Sequence, residues 1–401
     1  MLGSAIMLAA SASGPAEAAP HPTHHGHLPH SHTHAPEEID ETHGPILLQL
    51  TYTGEVMGNA SGGVRRGTRY LDNLDIVFEA DMEKLAGWTG AQVHIYGLYN
   101  NGHSISALAG DTQAVSNIEA GTQALRLYEA WIDQKIGATL SVKAGLYDLN
   151  SEFDALDAAG LFVSSPHGIG TDFAQSGRNG PSIFPSTSLA ARVQWQPAEG
   201  WALRAAVLDG VPGDPDHPGR TAVKLGKGDG ALLVGELEAP VGGGKLLLGH
   251  WRYTARFERN DGLAAAKGNA GTYIRGELPL TGTAARKVDA FFRLGKAAGR
   301  FNMFTGFASG GLKFSGWVPG RDEDEFGIAL AAAFTSTSYR AATGAGRSEL
   351  ALEATYRAPV TPWLSLQPSL HYIRNPSADP AIRDALVIGM RAEVSFSLAG
   401  F

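Results

Sequence analysis

Residues Gly145 to Ser188 read GLYDLNSEFDALDAAGLFVSSPHGIGTDFAQSGRNGPSIFPSTS and lie between two runs in which apolar and polar residues alternate. Before the segment, Leu140, Val142, Ala144 and Leu146 interleave with Ser141, Lys143 and Tyr147. After it, Leu189, Ala191, Val193 and Trp195 interleave with Ala190, Arg192, Gln194 and Gln196. A period of two marks a β-strand with one wet face. A connection this long without periodicity of its own is either a functional loop or a disordered one. Phe153, Leu156, Leu161, Phe162, Phe173, Ile183 and Phe184 favour the first, because that much apolar surface folds back on something.

The alternation extends over the rest of the chain. Strands are expected near 46–58, 68–81, 88–99, 122–136, 138–147, 187–197, 200–209, 230–239, 245–256, 270–280, 286–297, 301–315, 325–336, 348–358, 363–374 and 385–398. That makes about sixteen, an even number, as a closed antiparallel bacterial barrel requires. Short links (Pro197–Gly200, Gly242–Gly244, Gly282–Ala285, Pro359–Pro362) alternate with longer ones such as Gly210–Gly228 and Phe257–Asn269, as periplasmic turns alternate with external loops. Trp88, Trp201, Trp251, Trp317 and Trp363 stand near strand ends, where membrane girdles place aromatics. The 51 glycines among 401 residues suit tight turns and small inward positions.

No run of eighteen apolar residues is present, so no transmembrane helix is expected. A barrel strand shows only every second residue to lipid, which fits a mean hydropathy of -0.10. Net charge is -8, so the chain carries no basic footprint for nucleic acid. With no cysteine, a disulfide scaffold and a Cys-ligated zinc site are excluded.

Residues 1–18 read as a signal peptide that lacks its basic n-region: Leu2 to Ala10 form a short apolar core, and Ala16-Glu17-Ala18 fits a cleavage site. Residues 19–43, rich in histidine and proline, read as a disordered leader. Neutral imidazoles at this density (His24, His25, His27, His30, His32, His34) suit Zn, Cu or Ni ions, but nothing preorganises them, and a solvated tail is the plainer reading. Residues 44–401 are expected to form the barrel.

Within the quoted segment, Gly145-Leu146-Tyr147-Asp148-Leu149-Asn150-Ser151-Glu152-Phe153, Gly160-Leu161-Phe162, Gly168-Ile169-Gly170, Asp172-Phe173-Ala174-Gln175-Ser176-Gly177 and Asn179-Gly180-Pro181-Ser182-Ile183-Phe184-Pro185 resemble the carbohydrate-selective, OprB-type porins. Weaker likeness runs from about Tyr52 to Phe396, through Tyr52-Thr53-Gly54-Glu55, Gly87-Trp88-Thr89-Gly90 and Leu366-Gln367-Pro368-Ser369-Leu370-His371-Tyr372. The resemblance implies an all-β transmembrane barrel in the bacterial outer membrane, with the long loop folded into the lumen.

If the apolar rows face lipid, the polar rows face the lumen. The lumen then holds Arg192, Arg204, Arg252, Arg275, Arg293 and Arg391 with Asp75, Glu79, Glu236, Glu238, Glu277, Glu353 and Glu393. Mixed charges suit an uncharged polyol, whose hydroxyls both donate and accept; at most positions such charges only keep the wall wet and rigid. The residues expected at a constriction are Glu152, Asp154, Asp157, Asp172, Gln175, Arg178, Asn179, Arg192 and Arg204, with the two arginines expected to donate paired hydrogen bonds to sugar. No cofactor is expected. The partners expected are small sugars, outer-membrane lipid and lipopolysaccharide, and the barrel-assembly machinery, for a monomer or a homotrimer.

The function read from the chain is passive diffusion of small, glucose-type carbohydrates into the periplasm. A general small-solute or ion porin is the alternative. A barrel enzyme is a third reading, since two loop carboxylates at the right separation make a glycosidase pair; sequence spacing in a loop fixes no such distance, and no GxSxG, HExxH or P-loop accompanies them.

Overall fold

The computed structural model describes residues 44–283 and 286–399; the expected signal peptide and histidine leader lie outside these, as does Phe401. Sixteen strands form one closed antiparallel barrel in which each pairs with its neighbours in sequence. They are β1 (Ile46–Gly63), β2 (Gly67–Asp81), β3 (Ala91–Asn100), β4 (Ala124–Ile136), β5 (Leu140–Tyr147), β6 (Ser188–Trp195), β7 (Ala202–Asp209) and β8 (Ala231–Val241). There follow β9 (Gly244–Tyr253), β10 (Ala270–Gly282), β11 (Lys287–Ala297), β12 (Phe304–Ser315), β13 (Glu325–Thr335), β14 (Ser348–Thr361), β15 (Leu364–Arg374) and β16 (Arg383–Ala399). The seam runs from Gly63↔Arg383 to Leu47↔Ala399, so no strand edge is left open.

The strands are inside out compared with a water-soluble sheet. On β16, Ile388, Met390 and Phe396 are exposed, whereas Arg391 and Glu393 are buried. On β14, Leu352 faces out, and Glu349, Glu353 and Thr355 face in. An exposed apolar wall around a polar interior is stable only where lipid covers the outside. The short turns after β4, β6, β8, β10 and β14 share one end of the barrel. There Trp88, Trp201, Trp317 and Trp363 are exposed, as an interfacial girdle requires.

Two expectations on β9 are corrected. Trp251 is fully buried and stacks on Phe173 of the long loop, with ring centroids 4.9 Å apart and planes 5° apart, so it belongs to the interior rather than the girdle. Arg252, its neighbour, therefore points outward. The cause is local: the lumen side of β9 and β10 is filled by Trp251, Tyr253 and Tyr273 beneath the loop, an apolar cluster that fixes the register.

Candidate functional site

The long connection between β5 and β6 (148–187) is tied shut at its base. Ser182 donates through its hydroxyl to the Tyr147 carbonyl (2.6 Å) and accepts from the Ser188 amide (2.7 Å), while the Leu149 amide donates to the Ser182 carbonyl (2.8 Å). From there the loop follows inward-facing side chains around the wall. The Asp154 amide donates to Glu236 on β8 (2.8 Å), and the Ala158 amide to Glu277 on β10 (2.8 Å). Gln367 on β15 donates to the Leu161 carbonyl (2.7 Å), and Glu353 on β14 accepts from the amides of Val163 (2.7 Å) and Ser164 (3.0 Å). The return leg passes β11 at Asp172 and β9 at Phe173.

Asp154 is the central tie. It sits at φ 54°, in the left-handed region that Asp tolerates, and this turns its carboxylate toward two strands at once. Arg275 Nη1 lies 2.8 Å from Oδ1, and Arg293 Nε and Nη2 lie 2.8 Å from Oδ1 and Oδ2. Arg293 also reaches Asp172 through Nη1 at 2.6 Å. Burial opposes ionisation of Asp154, but the two guanidinium groups outweigh it and hold its carboxyl below the usual range. Asp172, which shares one of those arginines, is raised by burial instead. Close approach explains two glycines: a Cβ on Gly170 would collide with the Arg293 guanidinium, and one on Gly295 with the Asp172 carboxylate.

Nearer the loop base, Glu152 receives Arg192 through Nε and Nη2, both at 2.7 Å, Lys143 at 2.8 Å and the Tyr147 hydroxyl at 2.6 Å. Burial works against its charge, yet Lys143 and Arg192 hold its carboxyl far below the usual range. This loop is a charged strap bound to side chains on the inner faces of β5 to β15.

A family model described as carbohydrate-selective porin, OprB family, matches residues 65–396. The chain belongs to that family. It is an outer-membrane channel and not an enzyme. Porin B of Pseudomonas aeruginosa is 23% identical, over 87% of each chain. Among solved structures, OprB of Pseudomonas putida at high pH superposes with a TM-score of 0.77 at 21% identity, covering 88% of this chain and 94% of that one. A loop-deletion mutant of OmpT from Vibrio cholerae gives 0.51 at 9% identity, over 88% and 98%. At these identities the structural likenesses speak for the barrel alone.

In this porin the nine residues expected at a constriction fall into separate groups. Asp154 and Asp172 meet on Arg293, and Glu152 and Arg192 meet each other. Asp157 is largely exposed and pairs with Lys245 at 3.1 Å. Gln175, Arg178 and Asn179 lie on the return leg and pin neighbouring loops: Gln175 donates to the Thr112 carbonyl (3.0 Å), Arg178 to the Arg256 carbonyl (3.2 Å), and Asn179 to the Pro212 carbonyl (2.8 Å). The expectation that Arg192 donates to sugar is corrected. Its Nη1 donates to Ser141 (2.5 Å) and its Nη2 also to Asp133 (2.9 Å), and its side chain is 2% exposed, so it anchors the strap. Arg204, 13% exposed, directs Nε to Gln194 (2.7 Å) and Nη1 to Glu238 (2.8 Å) and Glu236 (3.3 Å).

Sequence alternation set Arg275, Arg293 and Glu353 in the inward rows but gave no sign that the loop lands on them. It also passed over a second inward connection, 101–123 between β3 and β4. There the Ser116 hydroxyl donates to Glu55 (2.6 Å), Asn117 accepts from Arg391 (2.5 Å), and Glu349 takes the amides of Thr112 (2.9 Å) and Gln113 (3.0 Å). Its length without alternation was the available signal.

On the short-turn side of both loops the wall presents half-buried charges of both signs on β7 to β10 and β12 to β14. Arg204 faces Glu238 (2.8 Å), Lys245 faces Glu277 (3.2 Å), and Glu325 lies between Lys313 (3.1 Å) and Arg357 (3.6 Å).

Proposed function

We propose that this porin passes small uncharged sugars, of the glucose type, down their gradient into the periplasm. The observation that carries the reading is the arc of paired charges from Arg204 on β7 to Arg357 on β14. Each neighbouring pair offers a donor beside an acceptor, the pairing that sugar hydroxyls need to exchange water at little net cost. Because the arc mixes both signs, it sets up little net field, so an ion gains less from it than a polyol does.

Planar-bilayer conductance of the purified protein, with and without glucose, tests the proposal. Saturable block of the ion current by glucose, stronger than block by a polyol of equal size without the ring hydroxyl geometry, is the expected result. Equal, unsaturable effects of both solutes would favour a general small-solute porin.

A further inference from the structure

We propose that the outward wall of β9 to β11, near the long-loop end, is a docking surface for the phosphorylated glycolipid of the outer leaflet, with Arg252 and Lys296 as its phosphate ligands. This is independent of which solute the lumen selects.

Few charged side chains stand in the outward rows of the strands, and most of them are compensated. Asp72 accepts from the Tyr52 hydroxyl (2.9 Å) and Asp384 from Tyr372 (2.6 Å), with Arg374 beside Asp384. Arg252 and Lys296 are exposed on the same wall, and among the described residues neither has a carboxylate partner. A cation in an outward row is costly in hydrocarbon, but it is tolerated near an interface where its long stem reaches an anionic headgroup.

The two sit close together. Arg252 pairs across the sheet with Ala270, and Lys296 with Thr272, two residues further along β10. Strand spacing and rise put their Cα atoms roughly 12 Å apart, about the span of a disaccharide. Between them Thr272 and His250 face outward and share a hydrogen bond of 2.9 Å, so the rung joining the cations is polar as well. Below it the outward residues Leu248, Ile274 and Leu294 are apolar, which suits acyl chains. Above it the loops add Lys267 and Arg300, both exposed, with Arg300 donating to the Lys267 carbonyl. The apolar wall lies below the polar rung, and the cations flank that rung or stand just above it, which matches acyl chains below a phosphorylated disaccharide. A second protein would bring no acyl chain for the lower part of this surface.

The test is titration of the detergent-purified porin, stripped of lipid, with hexa-acyl diphosphoryl lipid A, read by native mass spectrometry. Wild type should form a one-to-one adduct. Arg252→Ala/Lys296→Ala should weaken it about tenfold, Arg252→Lys should largely retain it, and Arg374→Ala should leave it unchanged. Lipid A without phosphates should bind wild type as weakly as the double variant binds the phosphorylated form. Heat-modifiable migration on gels confirms that each variant is folded. Equal binding by wild type and the folded double variant, or equal binding of phosphorylated and dephosphorylated lipid, would overturn the proposal. So would a double variant that binds lipid normally but changes its oligomeric state, since the surface would then meet protein.

Discussion

Arg293 on β11 meets both carboxylate oxygens of Asp154, at 2.8 Å each, across 139 residues of sequence. With Arg275 on β10 as a second donor, this joins the middle of the loop to strands well round the barrel from its base at β5 and β6. Removing one partner of a buried pair leaves the other charge uncompensated and costs about 3–5 kcal/mol. Asp154→Ala should therefore release the loop while the sixteen-strand hydrogen-bonded ladder survives. Single-channel conductance should rise and become noisier, and the folded, heat-modifiable form should persist. Unchanged conductance in a folded Asp154→Ala barrel would mean that the strap does not limit the pore.

The two lumen arginines separate by function once their partners are known. Arg192 is consumed by Glu152, Asp133 and Ser141, so Arg192→Ala should lower thermal stability and alter conductance, with glucose block following conductance. Arg204 is the more exposed of the two, 13% against 2%, so Arg204→Ala should weaken glucose block about tenfold, the equivalent of one charge-assisted hydrogen bond, with little change in open current. Block and conductance measured on one set of bilayers decide the matter. A larger loss of block in Arg192→Ala than in Arg204→Ala would reverse the assignment.

How much of this was legible beforehand differs between wall and strap. The strands follow from period-two alternation because each side chain has only two destinations, lipid or lumen, and Leu352 beside Glu353 shows the choice residue by residue. Equating charge with lumen misplaces Arg252, because Trp251 and Tyr253 fill that side of β9. The strap was recognisable as a folded loop from its aromatics, but its landing points were not. Asp154 finds Arg275 and Arg293 through a left-handed turn and a closed barrel, and no local pattern encodes that distance.

His167 makes the strap sensitive to acid. It is buried between Phe162 (5.0 Å) and Phe291 (5.9 Å), and neither ring nitrogen has a hydrogen-bond partner. Burial pushes its pKa down to about 4; Glu353 at 3.9 Å opposes this, and His371 and Arg275 add to it. In the unfolded chain the imidazole titrates near its ordinary value of about 6.5. The neutral imidazole therefore contributes fully above about pH 6.5. As pH falls toward 4 the released loop binds a proton that the docked loop does not, and docking weakens by on the order of 3 kcal/mol. Hydrogen exchange of the Val163 and Ser164 amides, which Glu353 holds, should accelerate across this window in wild type and far less in His167→Leu. Equal acceleration in both would assign the effect to another group.

The closing strand gives the last prediction. Phe396 faces outward on β16 and stacks on Trp363 at the short-turn rim, with centroids 6.3 Å apart and planes 11° apart. The alternation places the closing strand at 385–398, and β16 spans Arg383–Ala399, pairing Ser397 with Gln49, Leu398 with Leu48 and Ala399 with Leu47. Truncation after Phe396 thus removes three rungs at the end of the seam, yet leaves the pairing from Leu50↔Phe396 to Gly63↔Arg383 intact. Phe396→Ser in the full chain keeps those rungs but loses an aromatic pair worth about 0.5–1.5 kcal/mol and sets a hydroxyl in the lipid-facing row. The girdle contact is expected to matter more, because strand ends fray at little cost while an aromatic at the interface fixes the strand's depth. Truncated protein should appear in outer membranes with a lower melting temperature but near-normal folded fraction, and Phe396→Ser should show the smaller folded fraction. If truncation proves the more damaging, the three terminal rungs, and not the Phe396–Trp363 stack, hold the seam closed.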